Sequence, residues 1–260
     1  VESGAMADRQ CGFRQSSKGG SNIHVKVWIG TSGYSYKEWL GNFYPEDLSS
    51  KEMLRFYSSR LPAVEINNTF YRLPKESVLA SWAEQVPAEF RFVLKAAQKI
   101  THVKRLKDAG AEVEYLFRVA SALGQNLGAI LFQLPPNLRK DLERLERFLS
   151  LVPNERAAAF EFRHPSWLDD EVLALLRARN CALCVADTDE AQNPNLIPTA
   201  TWGYMRLRRS EYSRVDLLKW KERILSQNWD RVFVFFKHEG EGIGPKLGAE
   251  FVDLLGPMET

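Results

Sequence analysis

From Val25 onward the chain repeats one pattern eight times: an apolar, strand-like run, a polar or charged end, and, in all but one case, a stretch with helical spacing. Strands alternating with amphipathic helices make βα units, and successive βα units build a parallel sheet covered by helices. The runs are Lys26 to Thr31, Ala63 to Asn67, Phe90 to Ala96, Gly128 to Gln133, Ala157 to Phe162, Ala182 to Asp187, Trp202 to Leu207 and Arg231 to Lys237. Eight strands with about seven helices predict an α/β fold, a TIM-type (β/α)8 barrel spanning residues 25–260 as a single domain. An open doubly wound sheet is the alternative, since it needs no closure.

The connecting segments carry readable helix signals. Ser49 and Glu52 stand at capping-box spacing ahead of Leu54, Tyr57 and Leu61. Pro74 suits a first helical turn and precedes Val78, Trp82 and Val86 on one face. Later stripes are Val113, Leu116, Phe117 and Ala120, then Leu142, Leu145, Phe148 and Leu149, then the segment from Asp169 to Arg179. Leu217, Trp220 and Ile224 form another, and Leu247, Phe251 and Leu254 the last. The pattern fails once. Thr188 to Ala200 holds Pro194, Pro198 and two Asn residues without a helical stripe, so the helix after the sixth strand is expected to be missing or irregular.

Composition narrows the function classes. With 45% hydrophobic and 26% charged residues, the chain has no apolar run near the roughly 20 residues that a membrane helix needs. A net charge of +2 is too small to argue for nucleic acid on bulk electrostatics, so any basic feature must be local. The three cysteines, Cys11, Cys181 and Cys184, outline no disulfide framework and suit a reducing cytoplasm. Cys181 and Cys184 have the spacing of a redox or zinc pair, but residues three apart on a strand face opposite sides, so both are expected to be buried structural thiols. Residues 1–24 are rich in Ser, Gly and charge and are expected to be a disordered tail, with Met6 a candidate native start.

In a barrel of this type, chemistry belongs at the carboxyl ends of the strands. Glu65 and Glu161 are the residues most at odds with their apolar neighbours. Facing outward, each would bury a charge under a helix; facing inward, they lie on strands three apart, where two carboxylates could serve as acid and base. The competing reading is a structural network with inward bases such as Lys95, Arg163 or Arg206. Lys95, Arg163, Arg206, Arg208 and Lys237 could line the mouth with positive charge, which points to an anionic ligand; Arg208 could instead be a solvated rim residue. Gly30, Thr31, Ser32 and Gly33 could add backbone and hydroxyl donors. Aromatic residues also follow strand ends, Tyr34 and Tyr71 being the choices for ligand contact, while others pack the loops. A divalent metal held by Glu65, Glu161, Asp187, His164 and His238 has thin support: no His-x-His or His-Glu-x-x-His occurs and bases stand beside the acids, so no cofactor is expected. Lys95 could form a Schiff base, although a nearby carboxylate would keep it charged.

Read together, these strand ends resemble the YecE-like family, a domain of unknown function (DUF72). The resemblance rests on Gly30-Thr31-Ser32-Gly33-Tyr34-Ser35-Tyr36 with Trp39 and Phe43-Tyr44-Pro45, and on Val64-Glu65-Ile66-Asn67-Asn68-Thr69-Phe70-Tyr71. Phe92-Val93-Leu94-Lys95, Leu131-Phe132-Gln133-Leu134-Pro135-Pro136 and Glu161-Phe162-Arg163-His164-Pro165-Ser166-Trp167 continue it in order, over about Val27 to Leu255. It implies a TIM-type barrel and no settled reaction. It also implies a shared site at Thr31, Ser32, Tyr34, Glu65, Asn67, Thr69, Tyr71, Lys95, Gln133, Glu161, Arg163, Asp187 and Arg206. The chain departs from the family at its last two strands, which end in Arg208-Arg209 and in Phe236-Lys237-His238 where relatives tend to be Asn-rich. The expectation is a cytoplasmic barrel enzyme for a phosphorylated or other anionic substrate, such as a nucleotide or nucleic-acid component. In it Glu65, Glu161 and Lys95 are catalytic, and Thr31, Ser32, Tyr34, Asn67, Thr69, Tyr71, Gln133, Arg163, Asp187, Arg206 and Lys237 bind the ligand. The alternative is a nucleotide- or nucleic-acid-binding protein without turnover.

Overall fold

Strands buried on both faces read as near-continuous apolar runs, and that is how the sheet of this protein is written. In the computed structural model, which describes residues 25–238 and 240–256, eight strands pair in parallel and in chain order. They are β1 (Lys26–Ser32), β2 (Ala63–Ile66), β3 (Arg91–Lys95), β4 (Leu127–Gln133), β5 (Ala158–Glu161), β6 (Ala182–Asp187), β7 (Trp202–Leu207) and β8 (Arg231–Phe236). β8 pairs back onto β1 over six residues, from Lys26 opposite Arg231 to Thr31 opposite Phe236, which closes the barrel. The expected tail over 1–24, with Cys11, lies outside the described residues.

Seven helices cover the sheet: α1 (Met53–Ser58), α2 (Glu76–Glu84), α3 (Gly110–Ala120), α4 (Leu142–Leu149), α5 (Asp170–Ala178), α6 (Arg214–Leu225) and α7 (Ile243–Leu255). None separates β6 from β7, as the proline-broken segment predicts. Asp141 and Asp169 cap α4 and α5, and Ser213 with Asp216 closes a capping box on α6. Two local expectations shift. Ser49 does hydrogen-bond Glu52 (3.0 Å), but that pair closes a turn ahead of α1, which begins only at Met53. On α2 the buried position is Leu79 and Val78 is exposed, so the packed stripe runs through Leu79, Trp82, Ala83 and Val86. Among the described residues no helix is long and apolar enough to cross a membrane.

Alternation along each strand sorts side chains into two layers. Outward residues such as Ile29, Val64, Phe92, Phe132, Phe160 and Val234 pack under the helices. Inward residues fill the lumen, where Trp28, Leu131, Trp202, Tyr204, Phe233 and Phe235 interlock with the small Ala63, Ala129, Ala159 and Ala182. Gly30 is needed at the β1–β2 seam: a Cβ there would sit 1.9 Å from the Ala63 carbonyl oxygen. Cys181 joins the outer layer and Cys184 the lumen, so the apparent pair is split between faces.

Two outcomes follow for the fold. Burial pushes the Cys181 thiol up to about 12, and burial with the Glu161 and Glu65 charges raises Cys184 well above its ordinary value, so neither is expected to react with iodoacetamide in the native state. Fast modification of both, read by peptide mass, would contradict the layer assignment. Gly30→Ala has no flexible neighbour to displace and should cost at least about 3 kcal/mol, measured by urea unfolding.

Candidate functional site

The top inward layer of the barrel is polar where the layers beneath are apolar. Ser32 from β1, Glu65 from β2, Lys95 from β3, Gln133 from β4, Glu161 from β5 and Arg206 from β7 each stand two residues above a lumen position, so strand parity alone aims them at one place. Arg206 occupies the centre. Its two terminal nitrogens reach Glu65 Oε1 (2.9 Å) and Glu161 Oε2 (2.7 Å), and all three side chains are buried.

The two carboxylates differ in how much acceptor capacity remains. Glu65 Oε1 accepts from Ser32 Oγ (2.7 Å), Asn67 Nδ2 (3.2 Å) and Arg206, while Oε2 accepts from the Tyr204 hydroxyl (2.6 Å). Glu161 Oε2 accepts from Gln133 Nε2 (2.9 Å) and Arg206, but Oε1 has only Arg208 at 3.7 Å. Burial alone would raise both carboxyls; the Arg206 guanidinium and these donors outweigh it and hold both below their ordinary values. Burial would likewise lower Arg206, and the two glutamates instead raise it well above its ordinary value. Glu65 and Glu161 are therefore both ionised at neutral pH, and neither is a resident proton donor. This geometry favours the structural network over the acid-and-base pairing expected of them.

Lys95 sits at the edge of this network. Its Nζ donates to the neutral Gln133 Oε1 (2.7 Å) and lies 4.2 Å above the centre of the Phe70 ring. The Gln133 amide thus faces a cation on one side and the Glu161 carboxylate on the other. Burial, with the nearby Arg206 and Lys237 charges, pushes the amine down to about 8. His102 packs edge-on against Phe70 (4.8 Å) and is also lowered, by burial and by Lys95, Arg163 and Arg105. The segment that carries it is irregular, a π-helical turn over Lys99–Val103 followed by positive φ at Arg105, Leu106 and Asp108, the kind of strained backbone that clusters at functional sites.

Other expected residues divide by place. Arg163 lies beyond the end of β5, exposed and with no carboxylate of the described residues in ion-pair reach, so Glu161 pairs with Arg206 and not with it. Tyr71 is 73% exposed beside the mouth, edge-on to Phe70. Tyr34 is half-buried against Tyr57, and burial raises its hydroxyl. Thr69 is taken up locally, its hydroxyl bonding the Ile66 and Lys95 carbonyls and so fixing the loop after β2.

Thr31 and Asp187 do not join the site. Both are outward by parity, Thr31 one residue before the end of β1 and Asp187 at the end of β6. Thr31 is bonded to the buried Tyr57 hydroxyl through its amide and its own hydroxyl. Asp187 holds Arg209 (3.0 Å), Tyr212 (2.9 Å) and Trp220 (3.2 Å) between the barrel and α6. With Asp187 outside, His164 bonded to Ser166 and His238 bonded to the Arg209 carbonyl, the five metal-ligand candidates are dispersed. Among the described residues no three His, Cys, Asp or Glu gather. The sequence reading missed Tyr204, two residues before Arg206 on the same face and so discoverable by parity, and His102, which no periodicity places.

The chain is similar to proteins of known sequence and of known structure. The family model described as "Protein of unknown function DUF72" matches residues 28–260. The UPF0759 protein YunF of Bacillus subtilis is 26% identical over 271 aligned residues, 88% of this chain and 94% of that protein. The UPF0759 protein YecE of Escherichia coli is 32% identical over 143 residues, 54% of this chain and 50% of that one. A crystal structure of a DUF72 family protein from Thermotoga maritima superposes with a TM-score of 0.79 at 27% identity, covering 89% of this chain and all of that one. Another from Enterococcus faecalis gives 0.73 at 19% identity, covering 91% of this chain and all of that one.

The Arg206 network makes a signed pH prediction. With both carboxyls depressed in the native state, their contribution is complete above the unfolded carboxylate pKa and is lost as pH falls through the native values. Arg206→Met strands two buried carboxylates and should cost about 3–5 kcal/mol at pH 7. Their native pKa values would then lie above the unfolded ones, so the variant should gain stability from pH 7 to 5 where the parent does not. Urea unfolding at the two pH values reads both effects; parental stability in the variant would rule out the bridging role.

Proposed function

This chain belongs to the DUF72 family, and from that premise and the charge pattern of its mouth we propose that it binds an anionic small molecule, phosphorylated or carboxylated, at the carboxyl end of the barrel. The observation that carries the reading is a surplus of cations above a closed network. Glu65 and Glu161 share Arg206, and beside them stand Lys95 and Arg163, to neither of which a further carboxylate of the described residues is paired, and Arg208, 3.7 Å from Glu161. The Lys95 amine, lowered by burial and by the nearby Arg206 and Lys237 charges, is relieved by an anion beside it.

In this reading the residues have distinct tasks. Glu65 is a positioning residue, its carboxylate saturated and inaccessible, and it fixes the Arg206 fork. Arg208 and Arg163 supply guanidinium groups suited to phosphate or carboxylate oxygens. Lys95 is at the reacting centre, and Glu161 Oε1 is a carboxylate oxygen with no hydrogen-bond donor among the described residues, Arg208 lying 3.7 Å away. Exposed Tyr71 beside the mouth favours a ligand with a flat ring, which keeps a nucleotide or nucleic-acid component within the class.

Titration calorimetry with inorganic phosphate tests the anion reading. Arg208→Gln and Arg163→Gln should each weaken binding about tenfold, since each removes one charge-assisted contact worth roughly 1.4 kcal/mol. Affinity should also fall as salt is raised. Absence of phosphate binding to the parent protein at millimolar concentration, or unchanged affinity in both variants, would exclude it.

A further inference from the structure

We propose that Lys95 is an imine-forming nucleophile, so that the anion taken at this mouth also carries a reactive carbonyl group. The inference rests on the anion-binding reading and narrows its substrate class to aldehydes or ketones bearing a phosphate or carboxylate.

The geometry separates Lys95 from a structural lysine. A lysine kept for charge pairs with a carboxylate, and this one does not: the hydrogen-bond acceptor of Nζ is the neutral Gln133 amide oxygen, and the Phe70 ring lies beneath it. The nearest acids, Glu65 and Glu161, are already held by Arg206, and Gln133 stands between Glu161 and the amine. Lys95 is also half-buried at the carboxyl end of β3, so Nζ meets the mouth while its stem is packed. Desolvation beside other cations is the setting that turns a lysine amine into a nucleophile. With the amine at about 8, roughly two orders of magnitude more of it is unprotonated at neutral pH than in an ordinary lysine.

The chemistry balances without a redox partner. The ammonium loses a proton to solvent water, and the free Nζ lone pair attacks the carbonyl carbon, forming a C–N bond. The C=O π pair moves to oxygen, which takes a proton from water to give a carbinolamine. Nitrogen then gives up its second proton, the hydroxyl takes a proton and leaves as water while the nitrogen lone pair closes a protonated C=N bond, and loss of the remaining proton to solvent completes the balance: amine plus carbonyl give imine plus one water. Where the imine is protonated, its N–H can donate to Gln133 Oε1 as the ammonium does.

Reductive trapping on the full chain decides it. The protein is incubated with glycolaldehyde phosphate or glyoxylate, two small anionic aldehydes, then with sodium borohydride, and adducts are mapped by peptide mass. Uncharged glycolaldehyde serves as control. The expected result is an adduct on Lys95 at least about tenfold faster than the average over the other lysines. Its rate should rise between pH 7 and 9, and inorganic phosphate should suppress it. Lys95→Arg, checked for folding by circular dichroism, should lose that fast phase. Labelling of Lys95 no faster than of the other lysines overturns the imine step; if phosphate still binds, the anion reading survives that failure. Fast labelling by uncharged glycolaldehyde as well, unaffected by phosphate, supports the nucleophile and removes the anion reading.

Discussion

One guanidinium holds the mouth of this barrel together. Arg206 reaches across from β7 to Glu65 on β2 and Glu161 on β5, joining staves on opposite sides of a closed sheet. A fork of fixed geometry can do this where a point charge on a flexible stem cannot, because its two terminal nitrogens engage two carboxylates at once. Neither carboxylate could stay ionised at that depth without it, and the bases beside them would lose their reference geometry. Lys95, Gln133 and Glu161 form a relay only because Arg206 fixes its far end.

The network accounts for the division of labour above it. Charge consumed inside the layer is unavailable to a ligand, which is why Glu65 reads as scaffold and Glu161, with one oxygen loosely held, does not. The same logic sets Lys95 apart from Arg206. Both are cations in the top layer, but one is saturated by carboxylates and the other faces an amide and an aromatic ring. Local anchors support the rest: the Tyr57 hydroxyl ties β1 to the β2 backbone at Ala63, and Asp187 ties the β7–α6 loop to α6. These are the polar contacts that keep strand ends from fraying beside a mouth full of like charge.

Much of this is legible in the sequence alone. Strand and helix runs survive in sequence because burial on both faces, or on one helical stripe, leaves a periodic trace, and the break at Pro194 and Pro198 marks the missing helix. The acid-rich strand ends were conspicuous for the same reason: a charge in an apolar run stands out. Parity was the weaker guide. It carried Glu65, Lys95, Gln133, Glu161 and Arg206 to one layer. The rule that chemistry sits at strand ends does not by itself choose a face, so it places Thr31 and Asp187 with residues from which a sheet's thickness separates them. Val78 and Leu79 exchanged places on α2 because adjacent helical positions differ by a rotation that tertiary packing, not spacing, resolves.

The sequence by itself determined the eightfold βα order, the closure it favours and the set of polar residues at the strand ends, since each follows from local periodicity and from the cost of burying charge. Only the tertiary structure decided which charges neutralise one another. Glu65 and Arg206 are 141 positions apart, and Lys95 and Gln133 are 38 apart. Barrel register places them within hydrogen-bond distance, and no local pattern encodes a distance across the lumen. It likewise decided that Lys95 would meet an amide instead of a carboxylate, and that contact is what separates a reactive amine from a structural ion pair.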